Sequence, residues 1–465
     1  MELTVYRQSS KTRPDGTIVY KGEDALPFVG ESLFLVADGL GGAAAIRHQN
    51  ILPGMFDAEA LPDILFKDVF EDYSDNVLLK YVRDSFFELF AVKDCYTANV
   101  NNIKKSGYFA SRIVAAILLH EFLHDPQLKK EVLFELMEAS DSREARERAE
   151  SALGERLAER ISDCLKKIAA NCSLTYESSY SGLALLGTTL CATLYEEKED
   201  RVDAIYFTAG DSRPYIWTEE DGLCQLLPDE EGEDGGMTNY IKANEDAQFH
   251  IRCNYFSFNK PCVLFNASDG CFDSGYFLSQ LAFERLILTS GTESGGTEEL
   301  SAKLHDFFLE CGRHDDSSTI AMKFFGFEDF EAFKESARRR MKVIEERFLS
   351  KLPELLERDY ISEYGKLALK TAETVTEEGP EDIKAASDAV SPEETPGEAV
   401  LKGHNVIAGV DPGSRAEEVK EPAAEVKAED GPTDKELEEL KEKAQLQEKL
   451  FEEYQASYGR YLAER

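Results

Sequence analysis

The stretch LFLVADGLGGAAA, Leu33 to Ala45, decides how this chain is read. An apolar run, SLFLVAD from Ser32 to Asp38, has the composition of a buried strand and ends abruptly in a glycine-rich turn. Alone, Asp-Gly is ordinary turn chemistry, because both residues tolerate the backbone angles that turns require. Its weight comes from recurrence. The strand-like runs DAIYFTAGD (Asp203 to Asp211) and PCVLFNASD (Pro261 to Asp269) also end on an aspartate, and Asp273 follows shortly. Asp315 and Asp316 lead into STIAMKFF, Ser318 to Phe325, while Glu23 and Asp24 stand shortly before the first run. TTLCATLY (Thr188 to Tyr195) and FHIRCNYFSF (Phe249 to Phe258) complete the strand candidates.

Composition narrows the function classes. The chain has 465 residues and 42% hydrophobic content, enough for a real core. With 52 basic against 90 acidic residues the formal net charge is −38, which repels polyphosphate backbones and argues against nucleic acid as a partner. The short basic run ARRR, Ala337 to Arg340, does not change that balance. MELTVYRQSS has no basic segment followed by an apolar core, so no signal peptide is expected. Apolar runs such as Ile113 to Leu119 are too short to span a membrane. Nine cysteines without CxxC pairs read as reduced thiols, and the expected location is cytoplasmic.

Strand runs, a helical block from Phe109 to Asn171, then more strands predict an α+β layered domain over residues 1–327. Residues 49–105 form a Phe-, Tyr- and acid-rich insert, in which Phe66 to Phe90 has a helical pattern. A helical extension follows over 328–370, beginning with a charged amphipathic helix from Phe330 to Leu355. Residues 371–432 have the composition of a disordered acidic linker. Between Thr371 and Asp430 there are 16 acids and 5 bases, so most of the −38 lies outside this tail. Residues 433–465 return to helix formers at amphipathic spacing, a terminal helix suited to a helical partner.

Carboxylates gathered at strand ends repel one another, and oxygen-rich clusters are how proteins hold hard cations such as Mg²⁺ and Mn²⁺. Two such ions share and acidify a water that can attack phosphorus. The glycines of GLGG do not make a nucleotide loop, since neither the P-loop Lys-Ser/Thr nor a full GxGxxG is present.

The motifs Glu23-Asp24, VADGLGG, GTTL (Gly187 to Leu190), GDSR (Gly210 to Arg213), SDGCFD (Ser268 to Asp273) and DDSST (Asp315 to Thr319) occur in one order. In that order they resemble the metal-dependent (type 2C-like) serine/threonine protein phosphatases, the PPM family, over residues 1–327. The resemblance implies a four-layer α-β-β-α sandwich, two antiparallel sheets flanked by helices, with a helical C-terminal extension. It implies two Mn²⁺ or Mg²⁺ ions, with Asp38 bridging them and the Gly39 carbonyl on one. Asp269 and Asp315 would serve the other ion, and Glu23, with Asp24 beside it, the Gly39 side. Asp211 and Asp273 match acids that, with Asp269, can hold a third, weaker ion. The implied reaction is hydrolysis of phosphoserine and phosphothreonine in a phosphorylated protein substrate by metal-activated water.

Three departures mark this chain. Val19 stands where the family often has a phosphate-binding arginine, and neither Arg13 nor Lys21 offers a fork in that place. Leu40 stands where many members have a proton-donating histidine, and neither His48 nor His314 is a substitute. The insert separates the glycine turn from SGYFASRIVAAILL (Ser106 to Leu119), the expected next helix, and is read either as a surface elaboration or as a border of the metal cleft. These departures leave an alternative: a catalytically weak or inactive regulator or scaffold, working through the insert and the terminal helix.

Overall fold

The structure, a computed structural model, describes residues 1–8, 10–12, 18–20, 22–40, 45–47, 52–91, 103–124, 136, 142–172, 186–230, 237, 239–243, 249–272, 280–310, 317–346 and 438–445. Two antiparallel five-stranded sheets form its centre. The first has β1 (Glu2–Arg7), β14 (Ser318–Phe325), β13 (Cys262–Ala267), β10 (Arg213–Thr218) and β11 (Gly222–Gln225) in that order. The second has β12 (Arg252–Asn259), β9 (Arg201–Ala209), β8 (Leu190–Glu197), β5 (Leu33–Val36) and β4 (Phe28–Val29). Two short ribbons complete the strands: β2 (Ser10–Thr12) with β3 (Ile18–Tyr20), and β6 (Ala45–Arg47) with β7 (Ile103–Lys105).

Burial explains the stacking. Strands covered on both faces are buried along their whole length, as Leu33–Val36 and Cys262–Ala267 are; the one polar residue among them, Asn266, accepts from Thr193 Oγ1 at 3.0 Å and donates to the carbonyls of Phe34 and Cys191. Phe34, Val36, Tyr206, Ile216, Leu264 and Phe325 fill the space between the sheets. The outer face of the second sheet is covered by α4 (Ser106–His124) and α5 (Arg143–Asn171), where Ile113, Ile117, Ile161 and Ile168 are buried. The outer face of the first is covered by α6 (Gln280–Thr292), α7 (Thr297–Glu310) and α8 (Phe330–Ile344), with Phe283, Leu304 and Phe333 inward. The molecule is therefore the α-β-β-α sandwich the sequence motifs imply.

The insert contributes to this core. It holds α1 (Leu61–Phe66), α2 (Asn76–Ser85) and α3 (Phe87–Ala91), and Leu65, Phe66, Val82 and Phe86 are buried with Leu33 and Leu35. The continuous helical pattern expected from Phe66 to Phe90 is interrupted, because Asp68 takes a positive φ of 63° and Asp72, Ser74 and Asp75 make turns. Asp75 then restarts the chain as the cap of α2, accepting from the backbone N–H groups of Val77 and Leu78.

Helix α8 belongs to the outer layer of the first sheet. Arg340 Nε lies 3.0 Å from Glu284 Oε1 of α6, which also accepts from Trp217 Nε1 at 2.9 Å. Residues 438–445 are helical; the linker and the rest of the terminal helix lie outside the described residues. Seven described cysteines are buried free thiols. No described helix is long and apolar enough to cross a membrane.

Candidate metal centre

Strand β5 carries the chain to Asp38 at one end of the sandwich, where the GTTL segment holds the turn. Thr189 N–H donates to the Asp38 carbonyl at 2.8 Å, Thr188 Oγ1 donates to it at 2.6 Å, and Asp38 N–H donates to Thr189 Oγ1 at 3.3 Å. Leu40 N–H reaches the Gly187 carbonyl at 3.0 Å, so Gly39 and Thr188 face each other in a short antiparallel bridge. In that register the bridge uses the polar groups of Asp38 and Leu40, and those of Gly39 point out of it. A Cβ on Gly39 would lie 2.4 Å from the Gly107 carbonyl oxygen and 2.6 Å from that of Glu23. The glycine is thus required for close approach of the α4 start and the Glu23 segment to the turn, and not chiefly as room for a ligand.

Asp24 arrives from the segment before β4 and is 2% exposed. Thr319 Oγ1 donates to its Oδ2 at 3.0 Å, and Tyr6 Oη donates to its carbonyl at 3.4 Å. Asp269 begins a 3₁₀ turn at the end of β13. That turn is fixed to β14 by paired bonds of 3.0 Å, Ser268 N–H to the Thr319 carbonyl and Thr319 N–H to Ser268 Oγ. Asp211 follows Gly210, whose φ is +99° and whose N–H donates to buried Glu230 at 3.0 Å.

Asp38 lies within hydrogen-bonding range of both the Asp24 and the Asp269 side chains, and the Asp269 charge is also felt at Asp211. Burial, and then the Asp24 and Asp269 charges, push the Asp38 carboxyl well above the usual carboxylate range. Burial raises Asp24 against the pull of its hydroxyl donors and of Arg112. Burial and the Asp269 charge push Asp211 up to about 8, and its buried Oδ1 has no hydrogen-bond partner among the described residues. Among the described residues, Arg112 at Asp24 and Arg213 at Asp211 oppose these rises without cancelling them. Arg213 pairs with Asp229 at 2.7 Å and stacks over Phe272.

A partnerless buried carboxylate oxygen beside crowded carboxylates suits a hard divalent cation; the Cys271 thiol near Asp24 and Asp269 is kept protonated by burial and by their charges, and donates to the Thr319 carbonyl at 3.5 Å. Among the described residues, however, no three His, Cys, Asp or Glu side chains are spaced to hold an ion as they stand. Asp315 and Asp273 lie outside the described residues, as do Asp316, Arg13, Lys21, His48 and His314. Val19 lies in the β2–β3 ribbon opposite Lys11. Glu23 lies at the site by its backbone, its carbonyl accepting from Ser111 Oγ at 2.5 Å.

Residues to which the sequence motifs assign no role of their own do much of the holding. Ser268, Thr319 and Glu230 brace the acids, and Ser111 and Arg112 brace the Glu23 segment. Arg112 has a visible signal, a single cation inside the apolar run FASRIVAAILL. Ser268 and Thr319 are marked only as members of the SDGCFD and DDSST motifs, and Ser111, inside helix α4, has no mark of its own.

The crowding predicts a pH dependence. Asp211 titrates near 3.9 in an unfolded chain and at about 8 in the fold, so folding favours its protonated form. The stability from that proton is complete below about pH 4 and is lost as pH rises through about 8. In chelator, the melting temperature should therefore fall between pH 6 and pH 8, and Asp211→Asn should flatten that slope. Thermal melts across this range check it, and a slope unchanged in the variant would reject the assignment.

No protein-family model matches the sequence, and no curated protein does. Among solved structures the chain is similar to the PPM Ser-Thr phosphatase MsPP from Mycobacterium smegmatis, with 15% identity, 69% of this chain and 97% of that one covered, and TM-score 0.33. It is similar to the serine/threonine phosphatase PstP/Ppp of Mycobacterium tuberculosis, with 17% identity, 70% and 99% covered, and TM-score 0.34. For Stp1 from Staphylococcus aureus the figures are 15%, 70% and 95%, and 0.30.

Proposed function

We propose that this chain is a metal-dependent protein serine/threonine phosphatase of the PPM type. The observation that carries the reading is the meeting of Asp24, Asp38 and Asp269, with Asp211 close by, from four separate segments at one end of the sandwich. Asp38 lies within hydrogen-bonding range of both Asp24 and Asp269, which supports a role for it between them. Asp38, the Gly39 carbonyl, Asp269 and Asp315 would hold two Mn²⁺ or Mg²⁺ ions, with Glu23 and Asp24 on the Gly39 side. Asp211 and Asp273 would complete a third, weaker site. Bound there, such ions supply a nucleophilic water at neutral pH and neutralise charge on the phosphoryl oxygens.

The chain's own residues do the rest. The Thr188 and Thr189 bonds hold the Asp38 turn, and the Ser268–Thr319 pair holds Asp269 and Asp24, so the carboxylates meet a ligand already placed. Leu40 carries no proton to give to a leaving alkoxide, so that proton comes from solvent or from another residue. A cytoplasmic phosphoprotein is the proposed substrate, and the terminal helix is the proposed contact for a helical partner. The spacing of the described acids and the valine at position 19 favour a second reading, a weak or inactive regulator of the same fold.

Hydrolysis of p-nitrophenyl phosphate separates the two. The phosphatase reading expects turnover with Mn²⁺ or Mg²⁺ that chelator removes. A folded protein inactive with either ion would reject it.

A further inference from the structure

The insert and the acidic segment meet at one buried cation. Arg112, on the second turn of α4, is 1% exposed, an expensive place for a permanent cation unless every donor is used. Its Nε donates to the Ser85 carbonyl at 2.7 Å, the last residue of insert helix α2. Its Nη1 donates to the carbonyls of Tyr108 at 2.9 Å and Glu23 at 3.3 Å. Its Nη2 lies 3.5 Å from Tyr6 Oη, the hydroxyl that itself donates to the Asp24 carbonyl. The guanidinium carbon stacks 3.6 Å above the Tyr108 ring.

The directions of these bonds matter. One edge of the fork satisfies a helix C-terminal carbonyl that α2 cannot satisfy internally. The other grips the backbone immediately before Asp24, where Ser111 Oγ adds a second donor to the Glu23 carbonyl. A second strut runs parallel: Tyr81 of α2 donates its hydroxyl to the Leu26 carbonyl at 2.9 Å. The insert is thereby tied on both sides of Asp24.

We infer that Arg112 is a positioning residue, a buried clasp through which the insert sets the Glu23-Asp24 segment against the Asp38–Asp269 pair. This rests on the metal-dependent reading above and adds to it a role for the insert. The insert then supports the centre from beneath, besides whatever it does at the surface. Lysine keeps the charge but, having one point of donation on a flexible stem, cannot serve Ser85, Tyr108 and Glu23 together.

The test uses the full chain and titrates MnCl₂ by calorimetry well below the melting temperature. Arg112→Lys is expected to melt as a folded protein but to bind Mn²⁺ about tenfold more weakly, the scale typical of lost outer supports. At saturating Mn²⁺, KM for p-nitrophenyl phosphate should stay near wild type, because nothing touching substrate has changed. Ser111→Ala, which removes one donor to the same carbonyl, should weaken Mn²⁺ binding in the same direction by less, and decides the matter if Arg112→Lys fails to fold. Wild-type affinity in folded Arg112→Lys, or in folded Ser111→Ala when only that variant folds, overturns the inference. Wild-type protein that binds Mn²⁺ without hydrolysing anything rejects the phosphatase reading, while the titrations still judge the clasp. Wild-type protein that binds no Mn²⁺ overturns both.

Discussion

Asp38→Asn should lower kcat for p-nitrophenyl phosphate at saturating Mn²⁺ by at least about a thousandfold, on the scale of several kcal/mol of lost transition-state stabilisation. The substitution keeps the size of the side chain and its place in the turn, whose bonds to Thr188 and Thr189 run through the Asp38 backbone. What it removes is the charge standing between Asp24 and Asp269. The same variant should be at least as stable as wild type in chelator, because removing one of three crowded carboxylates relieves their repulsion. Activity and melting temperature measured on one preparation check both halves. Turnover within tenfold of wild type would remove Asp38 from its proposed role. A collapsed melting temperature would make it a structural residue.

Arg340→Ala should destabilise the fold by about 3–5 kcal/mol, the cost of leaving a buried charge without its partner. Glu284 is fully buried and Arg340 is 4% exposed. Burial raises the Glu284 carboxyl even against the Arg340 guanidinium, which shows how strongly the site resists an uncompensated charge. Arg340 also donates to the carbonyls of Glu220 at 3.0 Å and Asp221 at 3.3 Å, so it ties α8 to the β10–β11 turn. Denaturant unfolding measures the loss, and a change below about 1 kcal/mol would mean the pair is dispensable. The consequence for domain boundaries is direct. A chain ending at Phe327 loses the partner of Glu284 and uncovers Phe324, which packs on Phe333 at 4.9 Å between ring centroids. A truncation meant to test the tail should end after α8, beyond Glu346.

Much of the fold is legible in local pattern. Ser318–Phe325 is a strand with the bounds read from its composition, and the helical block before the second strand group is α4 and α5. Strands β10 and β11 are less legible, because Pro214 follows Arg213 and the latter strand is only four residues, Gly222–Gln225. The insert shows the limit differently. Its helical periodicity is real, but Asp72 accepts from the Ser74 N–H and Asp75 from those of Val77 and Leu78, which divides it into short helices.

By itself the sequence determined which residues are candidates. An aspartate ending an apolar run beside a glycine announces itself at Asp38, Asp211 and Asp269, since strand ends and turns are local chemistry. Tertiary structure alone decided which of them meet. Asp24 comes within hydrogen-bonding range of Asp38 because antiparallel pairing folds β4 back along β5, and Asp269 joins them because the sheets stack face to face. It also decided that Arg112, 27 residues from Ser85 in the chain, closes on that carbonyl, and that Arg340 finds Glu284 across 56. Burial makes those contacts matter: an acid or a guanidinium out of water needs partners, and only the folded chain supplies them.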